Sequence, residues 1–434
     1  MKIDKKALNA VWGILLFSIL AFPRIFPTIK ILLCLLLIIL NLVENKGIVL
    51  QIPVVCFIIL WMAYALLAMA FGILYKNPYG GIYAFLRSII VNALLYCLLM
   101  MSICREDIFE ITIRTVFYAT LYISIYNLIF IACGYLRINL PFLEVLDATA
   151  RLQFHEGYSH VVTTNLSMTI CLFPLVVMLI NEPNARTIVG TGKLVLTAVL
   201  CAGAMVLSGR RILWLCLFLG VVALFFINAR KATDKLKLIG VGVLVLGTGV
   251  IVAKKTGILS IDGLVDRFKE AFASIGDNGL ENVRIEQARH LLNGFKNRPF
   301  FGNGAGAIIK GYARSIGEPW NFELSYHEML FQSGLVGAIF YFSALALIFV
   351  ETIRAMRVNR MIGSAVMVSY VSGLAASGTN PYFNSSFDLM IFLFLPFVLA
   401  EVIICSGNAD APSEYPWSYS CRRVNHMSYF EKDI

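Results

Sequence analysis

His327 stands where a long polar stretch gives way to an apolar one. The polar stretch, 254–325, is glycine-rich and ends in Tyr326-His327. An unperturbed imidazole titrates near ~6.5, which suits it to take a proton from a hydroxyl near neutral pH. The competing reading is an interfacial histidine at a membrane boundary. The chain holds five histidines: His155, His160, His290, His327 and His426. His155 and His160 share the segment Arg151-Leu152-Gln153-Phe154-His155-Glu156-Gly157-Tyr158-Ser159-His160, His290 falls on a polar helix face, and His426 is near the end of the chain.

Three arginines join His327 as chemical candidates. Asn278-Gly279-Leu280-Glu281 has the form of a capping box and predicts a helix over 279–296, stopped by Arg298-Pro299. Ala288, Leu291, Leu292 and Phe295 then share one face, and Arg284 lies one turn before them on that face. Glu286 and Arg289 point to the opposite side. Arg284 is therefore expected to point where the helix packs, unless its stem only snorkels over apolar surface. Arg210 and Arg211 sit in Ser208-Gly209-Arg210-Arg211 between two apolar runs. Adjacent guanidinium groups suit a diphosphate through planar paired donors, and a lipid-linked diphosphate would lie at that depth. A plain interfacial turn is the alternative.

The loop helix runs into Pro299-Phe300-Phe301-Gly302-Asn303-Gly304-Ala305-Gly306. Gly302 and Gly304 permit close backbone approach, and a row of exposed N–H groups there could hold a phosphate. No Lys-Ser/Thr follows, so it is not a Walker loop. A plain tight loop is an equal alternative.

The elements that must position these residues are apolar spans. The 434-residue chain is 59% hydrophobic and only 14% charged, far from the composition of soluble domains. About twelve windows are long enough to cross a bilayer: 8–22, 28–43, 48–74, 83–101, 111–133, 160–180, 190–208, 212–228, 236–253, 326–350, 360–376 and 384–404. The fold class is thus an all-α polytopic membrane protein, with one large extracytoplasmic loop between spans 9 and 10. Residues 1–404 form one membrane domain that includes the loop 254–325, and 405–434 form a short cytoplasmic tail. The N-terminal run is expected to be an uncleaved first helix, since no small-residue cleavage site follows it. Gly334, Gly337 and Ala338 in the tenth span permit close helix packing.

Basic residues set the orientation. Lys2, Lys5 and Lys6, then Arg230, Lys231, Lys235 and Lys237, then Arg354, Arg357 and Arg360 all fall on one side by parity, expected to be cytoplasmic. The opposite side receives 134–159, the Ser208–Arg211 turn, the 254–325 loop and the turn 377–381. The formal charge of +10 reflects this bias and is no nucleic-acid signal. The cysteines lie mostly in apolar runs and none falls in the long loop, so no disulfide framework or cysteine metal site is expected there. No Asp-x-Asp or histidine cluster with metal spacing occurs in the outward segments.

The run Asn282-Val283-Arg284, then Asn297-Arg298-Pro299 through Gly306, then Tyr326-His327-Glu328-Met329-Leu330 and Gly334-Leu335-Val336-Gly337 resembles the shared region of the O-antigen polymerase and O-antigen ligase family. Leu207-Ser208-Gly209-Arg210-Arg211 is similar to that family's outward arginine turn, with Arg211 the better match. The resemblance covers about 200–340. It implies a glycosyltransferase that needs no metal or cofactor and acts on undecaprenyl-diphosphate-linked oligosaccharide at the outer face of the bacterial cytoplasmic (inner) membrane. In that reading His327 is the general base, Arg284 and Arg211 bind and stabilise the departing diphosphate, and Arg210, Arg151, Gly302, Gly304 and His160 are further substrate contacts. Implied partners are the lipid bilayer, a chain-length regulator and a flippase, within capsule or lipopolysaccharide biosynthesis. Ligases of the family usually carry an amide or serine after the histidine. Glu328 stands there instead, which favours a polymerase.

Three other readings stay open at this stage. One is a ligase that moves a finished glycan to a lipid or protein acceptor. Another is a transporter of lipid-linked oligosaccharide, against which stands the concentration of charge in one loop and at span ends rather than at mid-membrane. The third is a structural scaffold, which leaves Arg284 on an apolar face unexplained.

Overall fold

A computed structural model describes residues 4–45, 51–103, 108–138, 150–155, 158–180, 182–228 and 280–408. The expected ninth span, the loop up to residue 279 and the tail from 409 lie outside the described residues. The first helix, α1 (Lys5–Ala21), is capped by Asp4, whose carboxylate accepts the Lys6 N–H at 3.0 Å. A five-residue turn leads to α2 (Pro27–Asn45), where proline at the first position loses no helical hydrogen bond. Then come α3 (Ile52–Leu74), α4 (Tyr79–Ile103) and α5 (Ile108–Leu136). Within α4 the backbone is π-helical over Leu86–Val91, and the Ile89 carbonyl accepts the Trp61 indole N–H at 2.9 Å.

The next segment adds a small two-stranded hairpin to the helices. Strands β1 (Arg151–His155) and β2 (Tyr158–Val162) pair antiparallel, Leu152 opposite Val161 and Gln153 opposite His160. Leu152 and Val161 turn toward the core, while Arg151, Gln153 and His160 share the other face. The expected sixth span from 160 therefore begins later. A 3-10 turn at Asn165–Met168 opens α6 (Thr169–Leu179). Tyr158, Val161 and Val162 are residue types that favour strands, and the Val161 N–H donates to the Ser208 carbonyl at 2.9 Å.

A short helix, α7 (Pro183–Val189), precedes α8 (Thr191–Leu207) and α9 (Arg211–Asn228). The described chain resumes with α10 (Leu280–Asn297), α11 (Ser325–Val358), α12 (Arg360–Ser377), the single turn α13 (Tyr382–Ser385) and α14 (Ile391–Asn408). Among the described residues six helices are long and apolar enough to cross a membrane, and three shorter helices, Asn165–Leu179, Thr191–Leu207 and Arg211–Leu224, are apolar as well. This is a helical polytopic membrane fold. Of the other expected spans, the ninth lies outside the described residues, α1 has 17 residues, and α12 is rich in glycine and serine.

Two helices form the centre. Every residue of α6 is buried, and 83% of the span Asp388–Ser406 is buried, against 28% for Pro27–Glu44 at the periphery. Aromatic rings fill the space between α3, α4, α11 and α14: Phe57 stacks on Trp61 at 5.3 Å and Tyr96 on Phe394 at 4.7 Å. Buried polar groups tie the helices together where no water can reach. The Trp12 indole donates to Thr112, Ser369 to the Cys171 carbonyl and Tyr370 to the Leu345 carbonyl.

The tenth span departs from the sequence expectation. It is not one rod, because Gly334 has φ 65 and ψ −165 and breaks α11 into a stub, 325–333, and a long lower half. The Pro299–Ala305 turn enters this break. Leu335 and Val336 donate their N–H groups to the carbonyls of Pro299 and Phe300, and Asn303 and Gly304 donate to those of Phe331 and Gln332, all within 2.8–3.0 Å. The interrupted ladder is thus completed from the loop. On its far side the turn seats on α3: Ala305 N–H donates to the Ala68 carbonyl at 2.7 Å, Phe301 stacks on Phe71, and the Asn77 amide donates to the carbonyls of Asn303 and Ala305.

Candidate active site

Hydrogen bonds link the β-hairpin to the arginine turn, and the arginine turn to the histidine stub through the segment Asn380–Tyr382. The β-hairpin meets the Ser208–Gly209 turn through Val161, and Thr163 fixes the following segment by donating to Asn127 at 2.7 Å, while Asn127 donates to Asn165 at 3.1 Å. That network positions Ser167, which is buried. Ser167 Oγ accepts from Arg210 Nη1 at 2.9 Å, and the Tyr382 hydroxyl accepts from Arg210 Nη2 at 3.3 Å and lies 3.2 Å from Ser167 Oγ. The Arg210 guanidinium is half-buried and held by two neutral hydroxyls, so its charge is not cancelled by these partners. Arg211 follows as the first residue of α9 and is also half-buried.

The histidine arrives from the other direction. His327 is the third residue of α11, and its neighbour Ser325 donates to the Asn380 carbonyl at 3.2 Å. Tyr326 donates to the Leu374 carbonyl at 2.6 Å. The segment Asn380–Tyr382 thus touches the histidine stub at one end and Arg210 at the other. His327 Nδ1 is shielded from solvent and has no hydrogen-bond partner among the described residues. Glu328, which follows it, accepts from Gln332 at 3.0 Å inside the stub.

The loop helix α10 packs through Gln287, Leu291 and Gly294 rather than through all four residues of the expected apolar face, since Leu292 is 38% exposed. Gln287 is the hinge of this contact: its buried side-chain oxygen accepts the N–H groups of Glu323 and Leu324 at 3.0 and 3.2 Å. Arg284 lies on this packed side, yet it is not directed into apolar surroundings. Its Nε donates to Glu323 Oε2 at 3.0 Å, its side chain is 44% exposed, and Arg314 binds the other Glu323 oxygen. Glu323 is four residues before His327, so α10 and the histidine stub are joined through one carboxylate and one amide.

The phosphate cradle expected at Gly302 and Gly304 is overturned. The N–H groups of residues 302–305 donate to the carbonyls of Arg298, Phe331, Gln332 and Ala68. None is left open toward an anion. These glycines serve close packing, because a Cβ on Gly304 would lie 2.3 Å from the Gly72 nitrogen. Arg151 is exposed and shares a hairpin face with His160. Among the described residues no three His, Cys, Asp or Glu side chains group as metal ligands.

Sequence reasoning missed Ser167, Gln287, Glu323 and Tyr382. Tyr382 follows directly on the outward turn 377–381, and Gln287 sits one turn from Arg284, so spacing offered a signal for both. Ser167 and Glu323 carried none.

Residues 196–342 match the O-antigen ligase family. The matched segment is similar to the O-antigen polymerase and ligase family and spans about a third of the chain. It starts within α8, ends within α11, and includes Arg210, Arg211, Arg284 and His327, while Arg151, His160 and Tyr382 lie outside it. The O-antigen ligase segment therefore supplies the histidine stub and the arginine turn, and the strap that touches both comes from the sequence beyond it. No curated protein matches the chain.

Proposed function

We propose that this chain joins undecaprenyl-diphosphate-linked oligosaccharide repeat units into a polysaccharide at the outer face of the bacterial cytoplasmic membrane. The observation that carries the reading is the Asn380–Tyr382 strap, which touches Ser325 beside His327 and Arg210 beside Arg211. A hydroxyl of the acceptor sugar attacks the anomeric carbon of the donor. The bond from that carbon to the lipid diphosphate breaks as the new glycosidic bond forms. His327 takes the hydroxyl proton. Arg211 and Arg284, together with Arg210, bind the diphosphate and stabilise its charge as it leaves. Arg151 and His160, exposed on the hairpin, contact the sugar chain. A chain-length regulator and a flippase would act beside it.

Guanidinium groups meet the need of a diphosphate leaving group without a metal. Interrupted helices such as α11 also mark transporters. Here the break is filled by protein backbone, which favours a structural joint over a moving gate.

A second reading is a ligase that transfers a finished glycan, and the description of the matched family favours it. Glu328 after the histidine favours the polymerase. Deletion of the gene separates the two on a gel of surface glycan: single repeat units for a lost polymerase, lipid-linked long chains for a lost ligase. Purified protein that elongates lipid-linked repeat units in detergent, with no gradient present, excludes transport as the only role. Unchanged surface glycan in the deletion strain would end both readings.

A further inference from the structure

The turn between α1 and α2 holds a basic side chain that the mechanism above leaves unused. In Pro23-Arg24-Ile25-Phe26-Pro27, Arg24 has φ 67 and Phe26 has φ 50. Left-handed backbone at two bulky residues in one short turn is unfavourable and persists only where the surroundings fix it. The fixing group is a buried ion pair. Lys30 Nζ lies 2.8 Å from Asp388 Oδ1, with both side chains almost wholly buried, and Lys30 also donates to the Phe22 carbonyl at 2.6 Å. The second Asp388 oxygen accepts the Arg24 backbone N–H at 2.8 Å. The backbone is pinned while the guanidinium lies at the surface, where it donates to Ser385 Oγ at 3.4 Å and faces the Asp388 carboxylate electrostatically.

Its location is at the same end of the bundle as the arginine turn. Ser385 is in α13, the single turn whose first residue, Tyr382, holds Arg210. Thr164, three residues before Ser167, lies 3.5 Å from the Pro23 carbonyl. Beside Arg24, Phe26 is 67% and Ile29 54% exposed. A rigid turn thus presents a cation next to an apolar strip, about one helical turn along α13 from the Arg210 anchor.

We propose that Arg24 is a further substrate-binding residue, which holds the phosphate groups of a polyprenyl-diphosphate lipid while Phe26 and Ile29 lie against its chain. The inference rests on the glycosyltransferase reading and deepens it. A reaction that joins two lipid-linked saccharides handles two diphosphates, and Arg24 gives the surface a cation outside the group assigned to the departing one.

The test is titration of the purified full-length protein in detergent with undecaprenyl diphosphate and, in parallel, with inorganic diphosphate. Arg24→Gly suits the left-handed backbone, so its Tm should match or exceed that of the parent. It should bind undecaprenyl diphosphate about tenfold more weakly, as expected for loss of one charge-assisted contact. Arg24→Lys should fall between. With lipid-linked repeat units KM should rise while kcat stays within about twofold. If Arg24→Gly lowers Tm, Arg24→Gln takes its place, since it keeps the stem. Parental affinity in the glycine or glutamine variant overturns the assignment and leaves the proposed function standing. Absence of undecaprenyl diphosphate binding by the parent protein overturns both. Equal affinity for inorganic diphosphate overturns the lipid as ligand.

Discussion

A Cβ on Gly302 would lie 2.6 Å from the Gly334 nitrogen, and a Cβ on Gly334 would lie 2.6 Å from the Gly302 nitrogen. The two backbones occupy the space that each other's side chain would need. Both residues also have positive φ. Gly334→Ala must therefore strain the backbone and push the loop out of the break in α11. The expected result is a loss of about 2–4 kcal/mol or more of stability, read as reduced folded protein in the membrane and a lower Tm in detergent. At Gly337 an added Cβ would lie 2.3 Å from the Ser333 Cβ, so Gly337→Ala should also lower stability, through a clash on regular helical backbone.

His327→Ala should lower transfer by about 10²–10⁴-fold while undecaprenyl diphosphate binding and Tm hold. The base must be neutral to accept a proton, so the parent enzyme should lose activity as pH falls through the imidazole titration. Residual activity in His327→Ala should lack that acid limb. A pH–rate series on purified protein checks both, and full-length polymer from His327→Ala would remove the histidine from the chemistry.

Glu323 holds Arg284 and Arg314 together. Exposed pairs of this kind contribute only about 0–1 kcal/mol, so Glu323→Gln should leave Tm within a few degrees. Its effect should appear in binding: with the carboxylate neutral, the diphosphate no longer competes for Arg284, and KM should fall. Arg284→Ala should abolish polymer at unchanged protein level. A rise in KM for Glu323→Gln would mean that the carboxylate orients Arg284 for its task.

Lys30→Met leaves Asp388 charged and buried without its partner. Breaking a buried pair in this way costs about 3–5 kcal/mol. The double change Lys30→Met with Asp388→Leu should recover part of the loss, though not the hold on the Arg24 backbone. Thermal denaturation in detergent of the single and double variants measures the difference.

Much of this arrangement could be read from residue order. Runs of apolar residues about 20 long foretell helices because lipid offers the backbone no other partner, and Arg298-Pro299 foretold the end of α10 within one residue. The facing direction of Arg284 was half legible. Spacing put it on the packed side of the helix, yet its partner Glu323 is 39 residues away, which no local period reports. The glycines of 302–306 invited an anion because nothing local shows where an amide will point. The N–H groups of Asn303 and Gly304 go to α11 and that of Ala305 to α3, a tertiary outcome. The strands at Arg151–Val162 were lost to a window measured by hydrophobicity alone, since Val161 and Val162 read equally well as the start of a span.

The filled break in α11 also bears on how the protein is made. The stub that carries His327 owes its hydrogen bonds to the loop, and the loop owes its seat to α3. The histidine can take its position only after helices from early and late in translation have met in the bilayer. A chain halted before α11, or one with α3 misplaced, would carry every arginine of the site and still be inert. Assembly of the bundle acts as the safety catch on its chemistry.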